Sequence, residues 1–134
     1  MKREPEVVAA VVAGLRRRGL AVATEVANLH RSADVAAIDE RGRVLIIECK
    51  VSNIGQAIRQ GMTHKLTADQ VFIGVPQKNI RAATFTRIRL AGIGLILIMP
   101  DGSLNEIVHA DDEWTPWGPA NAKLKERILR NTEC

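Results

Sequence analysis

Residues 31–56 read RSADVAAIDERGRVLIIECKVSNIGQ. Two strand-like runs, 34–39 and 43–51, flank Glu40-Arg41-Gly42. A three-residue hairpin loop takes a type I turn followed by a residue in the left-handed region, and Gly42 stands at that position. With Asp39 paired to Arg43, Ile38 faces Val44, Ala36 faces Ile46 and Asp34 faces Glu48. Directly opposed residues have Cβ atoms about 4.5–5.5 Å apart, and like charges placed so are destabilising. Side chains alternate along a strand, so Lys50 shares the face of Glu48 and Cys49 takes the other. An apolar hairpin thus carries two carboxylates and one ammonium on one face. Lys50 offsets part of the negative charge, and a divalent cation, which takes carboxylate oxygens, would offset the rest.

The opposite face of the hairpin carries Val35, Ala37, Leu45, Ile47 and Cys49. A sheet apolar on both faces is a central sheet covered by helices on both sides, which places the chain in the α/β class. Upstream, residues 4–18 are expected to be helical. Pro5 suits the first turn, Glu4 and Glu6 suit the dipole there, and Gly19 suits the stop. Val8, Val11, Val12 and Leu15 form its apolar stripe. Arg16, Arg17 and Arg18 close it, either as a solvated basic end or as a phosphate contact. Residues 20–29 read as a strand interrupted by Glu25, which is either an exposed edge position or a further acid near the cation. His30 and Arg31 follow in a loop beside Asp34.

Downstream, Asn53 can cap a helix over 54–66. Its buried face is expected at Ile54, Ala57, Ile58, Gly61 and Met62, and its polar face at Gln56, Arg59, Gln60, Thr63 and His64. Gln56 and Gln60 project together close to the carboxylates, as solvated residues or as groups that orient DNA or water. A strand over 69–76, a helix over 79–91 and a strand over 92–99 make a parallel βαβ unit. Asp101-Gly102 reads as a two-residue turn into an edge strand over 103–110. Residues 111–119, DDEWTPWGP, read as a linker in which Trp114 and Trp117 pack. Residues 121–130 can form a short basic helix with Leu124, Ile128 and Leu129 on its apolar side. The expected organisation is a core over 1–110 and a C-terminal arm over 111–134.

The 134 residues suit a single domain. A net charge of +4 and a pI near 9.5 suit a polyanionic partner. Two Trp, two Phe and no Tyr argue against a base-stacking platform for single strands. The N-terminus lacks the apolar core of a signal peptide, and the longest apolar run, 93–99, falls far short of the ~20 residues of a membrane helix. Cys49, expected to be buried, and the terminal Cys134 make no disulfide framework, so a cytoplasmic setting is expected. No zinc-ligand spacing, glycine-rich phosphate loop or serine-hydrolase elbow is present.

Asp34, thirteen residues, then Glu48-Cys49-Lys50 resembles the signature of the PD-(D/E)XK nucleases, with Ser32-Ala33 where that family often has a proline. The helix that follows, with Gln56, also resembles the family. The likeness spans residues 4–100, and the small archaeal Holliday-junction resolvases share the size and layout. It implies a restriction-endonuclease-like fold with a mixed central sheet, in the order α-β-β-β-α-β-α-β-β with a short C-terminal helix. It implies a DNA endonuclease of repair or recombination, in which Asp34 and Glu48 hold one or two Mg2+ or Mn2+ ions. The backbone carbonyl of Cys49 would complete that shell, and Lys50 would stabilise the phosphate or position water. The family often carries a metal-supporting acid on its first helix; Glu6 is the candidate here, with Glu25 as the alternative. Arg16, Arg17, Arg18, Arg31, Arg59, Gln56 and Gln60 would face DNA, where phosphate contacts position the enzyme without reading sequence. The resolvase likeness further implies a homodimer selective for branched DNA, or an enzyme directed by a partner. The alternative is a non-catalytic DNA- or protein-binding module of the same fold.

Overall fold

The computed structural model describes residues 3–132. Helix α1 (Glu4–Arg17) leads into strands β1 (Ala21–Asn28), β2 (Arg31–Ile38) and β3 (Val44–Cys49). Helix α2 (Ile54–His64) joins β3 to β4 (Gln70–Pro76), and α3 (Ala82–Leu90) joins β4 to β5 (Gly94–Ile98). Strand β6 (Leu104–Val108) and helix α4 (Gly118–Thr132) complete the chain. The six strands form one open mixed sheet in the order β1-β2-β3-β4-β5-β6. Strands β3, β4 and β5 run parallel, and the outer pairings are antiparallel.

The hairpin follows the expected register. Ile38 pairs with Val44, Ala36 with Ile46 and Val35 with Ile47. The N–H of Asp39 donates to the carbonyl of Arg43 at 3.0 Å, the N–H of Gly42 donates to the carbonyl of Asp39 at 2.9 Å, and Gly42 has φ +77°. The second hairpin repeats this turn, so the expected two-residue Asp101-Gly102 turn has three residues. The N–H of Met99 donates to the carbonyl of Ser103, and Gly102, at φ +87°, donates to the carbonyl of Met99. The carboxylate of Asp101 accepts from the N–H and hydroxyl of Ser103 and selects the longer turn.

Two successive crossovers that step the same way along a sheet place their helices on one face. Helices α2, α3 and α4 accordingly share a face, where Ile58, Ile88, Leu124 and Ile128 bury against Ile46, Ile73 and Leu95. Helix α1 covers the other face alone, through Val7, Val11 and Leu15. Its buried stripe therefore starts at Val7, and Val8 and Val12 lie only half-buried at its flank. Helix α4 is longer than expected. Leu124 and Ile128 are fully buried in the same cluster as the sheet, so the C-terminal segment docks on β1. Trp114 packs as expected, its indole N–H donating to the carbonyl of Lys65 at 2.6 Å, whereas Trp117 is largely exposed. Among the described residues no helix is long and apolar enough to cross a membrane. Cys134 lies outside the described residues.

One irregularity positions the site. The β1–β2 ladder runs from Ala21–Ile38 to Thr24–Val35 and resumes at Val26–Ala33, omitting Glu25 and Asp34. Ala23 and Val26 bury in the same cluster although three residues apart, as do Ala33 and Ala36. Strict alternation would put each pair on opposite faces. Glu25 sits at φ +50°, in the left-handed region that non-glycine residues adopt at a cost of about 1–2 kcal/mol. The distortion, of the kind that re-aims side chains beside functional sites, frees both acids from the ladder.

Candidate active site

Asp34 and Glu48 meet just past the end of the β2–β3 ladder. Past the last backbone pair, Oδ2 of Asp34 accepts the N–H of Cys49 at 2.8 Å. The two carboxyl groups lie within hydrogen-bonding reach of each other. Two carboxyls so close cannot both ionise freely. Burial and the bond to Glu48 raise the pKa of Asp34 to about 7, against the opposing pull of the Cys49 N–H and the Lys50 charge. Burial would raise Glu48 as well, but its bonds to His64 and Asp34 outweigh this and hold it below the usual glutamate value. Asp34 is therefore the member of the pair that takes up a proton more readily. The buried thiol of Cys49 is pushed far up by desolvation and the adjacent acids, and stays a thiol.

Asp34 and Cys49 open onto a cleft of about 330 Å3, also lined by Glu4, Pro5, Val8, Thr24 and Glu25. Lys50 lies beside it, with Nζ 3.9 Å from Oε1 of Glu4. The structure thus gathers Asp34, Cys49 and Glu25 at the cleft and adds Glu4, with Lys50 beside it through Glu4 and Glu48 buried behind Asp34. It does not bring Glu6, whose carboxylate turns back to the N–H and guanidinium of Arg3 at the start of α1. The signal for Glu4 lies in the helical spacing: it stands four residues before Val8 and seven before Val11, on the edge of the stripe that faces the sheet.

Behind the pair, Oε1 of Glu48 is 2.6 Å from Nε2 of His64, and both side chains are closed to solvent. His64 is not on the polar face of α2. Ala57, Gly61 and His64 fall at i, i+4 and i+7 and are buried together, and Met62 is more than half exposed instead. That spacing was visible in the sequence, and the polarity of imidazole concealed it. Asn53 caps α2 as expected, its side-chain oxygen accepting the N–H of Gln56 at 3.3 Å.

The cationic residues divide into two groups. Arg31 opens β2, since the β1–β2 turn is Leu29-His30, and its charge acts on Glu48. Gln56 and Arg59 are exposed on α2, and Gln60 is half-buried. The guanidinium of Arg59 converges with that of Arg87 beside Gly55, where an added Cβ would meet the two at 3.8 and 3.4 Å. Arg16, Arg17 and Arg18 are exposed at the far end of α1, about 18 Å along the axis from Glu4 at 1.5 Å per residue.

No protein-family model matches this chain, and no curated protein sequence matches it. Solved structures do share its architecture. The SPO1766 protein of unknown function from Silicibacter pomeroyi superimposes with a TM-score of 0.78 at 17% identity, over 99% of this chain and 88% of its own. A repair endonuclease from Pyrococcus abyssi superimposes with a TM-score of 0.57 at 15% identity, over 75% of this chain and 48% of its own. At these identities the likeness concerns fold alone, and activity must be argued from the site.

Proposed function

We propose that this chain is a Mg2+- or Mn2+-dependent DNA endonuclease whose site is Asp34, Glu48 and Lys50. The observation that carries the reading is the carboxyl pair at the hairpin end. The two carboxyls lie within hydrogen-bonding reach, Asp34 borders an open cleft, and burial with the bond to Glu48 pushes the Asp34 pKa up to about 7, which marks negative charge that the neighbouring groups leave uncompensated. All donors of the pair are hard oxygens, which suits these ions. Among the described residues no group of three His, Cys, Asp or Glu side chains is placed to hold a metal ion. Mg2+ commonly takes only one or two protein carboxylates together with phosphate oxygens of the substrate, and a pair of touching carboxyls of which Asp34 borders the cleft fits that pattern.

Bound there, the ion would supply Lewis-acid polarisation of a phosphoryl oxygen. Asp34 would give up its proton on binding, and Glu48, already ionised, would need no such change. The backbone carbonyl of Cys49 would offer a third oxygen. Lys50, held beside the cleft by Glu4, would place an ammonium against the phosphate or orient the attacking water. Arg31, Arg59 and Arg87 would contact the backbone of duplex or branched DNA. Junction selectivity and action as a homodimer extend this reading by fold-level likeness to resolvases.

The test is nicking of branched, nicked and linear DNA by the purified chain in Mg2+ and Mn2+. Asp34→Asn, Glu48→Gln and Lys50→Ala should each reduce it by at least about a hundredfold, the scale lost with one transition-state contact, while circular dichroism stays unchanged. Salt-dependent DNA binding with neither cleavage nor metal uptake would assign the non-catalytic alternative instead.

A further inference from the structure

A chain of buried polar groups runs inward from Glu48. Nε2 of His64 is 2.6 Å from Oε1 of Glu48, and its Nδ1 is 2.8 Å from Nδ2 of Asn28. The same Asn28 nitrogen lies 2.8 Å from the hydroxyl of Thr67, which donates to the carbonyl of His64 at 3.1 Å. All four side chains are buried, on three different segments: Asn28 on β1, Glu48 on β3, and His64 and Thr67 at the end of α2 and just past it.

We propose that His64 is a positioning residue for Glu48, and that Asn28 and Thr67 fix the tautomer in which it acts; this rests on the reading that Glu48 serves the cleft. The donors settle the direction. The Asn28 amide has two N–H bonds, and it gives one to Thr67 and one to Nδ1 of His64. Nδ1 must then accept, so the ring proton sits on Nε2 and is donated to Glu48. Turning the amide over would leave its two N–H donors unpaired where the present arrangement leaves one oxygen, Oδ1, without a partner. An unpaired buried donor or acceptor forfeits its hydration without return, so the arrangement that leaves fewer of them is preferred. Position 64 continues the apolar stripe of α2, and an aliphatic residue would fill it. The imidazole adds a fixed donor that binds one oxygen of Glu48 and leaves its other lone pairs for Asp34, which borders the cleft. Groups that orient a metal-binding carboxylate in this way typically contribute about 10–100-fold to affinity or activity.

Two measurements test this. The first is long-range proton–nitrogen NMR on the full chain labelled at histidine nitrogen. The Nε2–H tautomer of His64 is expected, and a proton on Nδ1 overturns the proposal. The second is calorimetric titration of Mn2+ into wild type, His64→Gln and His64→Leu. The glutamine amide can still donate to Glu48, so His64→Gln should bind close to wild type while His64→Leu weakens about 10–100-fold. Equal affinity in the two variants overturns the proposal. Should His64→Leu fail to fold by circular dichroism, retention of affinity in His64→Gln supports the proposal and its loss overturns it. Should wild type bind no Mn2+, the nuclease reading falls, and the ring tautomer alone decides the role of His64.

Discussion

Oδ2 of Asp34 accepts the backbone N–H of Cys49 at 2.8 Å, so a side chain carries the β2–β3 ladder one step beyond its last backbone pair, Val35 with Ile47. Asp34 is thereby fixed to the strand that carries Glu48, and the separation of the two acids is set by the hairpin. The same bond lowers the pKa of Asp34, while burial and Glu48 raise it more.

That balance gives the apoprotein a pH dependence. The pKa of Asp34 rises from 3.8 to about 7 on folding, so between these values the folded state holds a proton that the unfolded chain has lost. The resulting stabilisation is complete below about pH 4 and disappears as pH rises through 7. In chelator, the melting temperature of wild type should fall across this window relative to Asp34→Asn. The asparagine keeps an acceptor for Cys49 and a donor for Glu48 at every pH. Parallel curves for the two proteins would remove the carboxyl pair from the argument. Added Mg2+ should stabilise wild type more at pH 8 than at pH 5, because the ion competes with the proton.

Glu4 and Glu6 separate by what each touches. Glu4 lines the cleft and holds Lys50, whereas Glu6 caps its own helix. Under the proposed reading Glu4→Ala should slow single-turnover nicking about tenfold or more. Glu6→Ala should leave nicking intact and cost roughly 0.5–1 kcal/mol of stability, as loss of a cap does. A larger catalytic loss from Glu6→Ala would contradict the geometry.

Gly42 has φ +77° and nothing within 4 Å of an added Cβ. Gly42→Ala loses no contact, so its whole cost is the left-handed backbone, about 1–2 kcal/mol in urea unfolding. An unchanged midpoint would mean that the turn does not set the hairpin register.

Arg59 and Arg87 converge at the start of α2, where no acidic residue occupies the first turn. Each phosphate contact contributes about 0.9 to the slope of log affinity against log salt. Fluorescence anisotropy with branched duplex should show that slope reduced by about one unit in Arg59→Gln or Arg87→Gln. Arg17→Gln, at the far end of α1, should leave it unchanged; the opposite pattern would place DNA on the other end of the molecule.

Local chemistry was enough to establish the hairpin. A glycine at the one position requiring positive φ and two alternating apolar runs set a register, and register alone opposes Asp34 to Glu48. Helix and strand order followed from the same short-range periodicities. Four features depended on long-range packing. Glu4 reaches the cleft instead of Glu6 because α1 presents Val7, Val11 and Leu15 to the sheet. Glu25 is released because its strand breaks step opposite Asp34. His64 became a buried partner of Glu48 because α2 lies across β3 and β4. Helix α4 docks because β1 leaves an apolar face uncovered until Leu124 and Ile128 fill it. Where the backbone keeps its period, sequence determines which residues share a face of their own strand or helix; the break at Glu25 and Asp34 lies outside that rule. Which face meets which neighbour depends on contacts between segments far apart in the chain, and only the folded structure decides those.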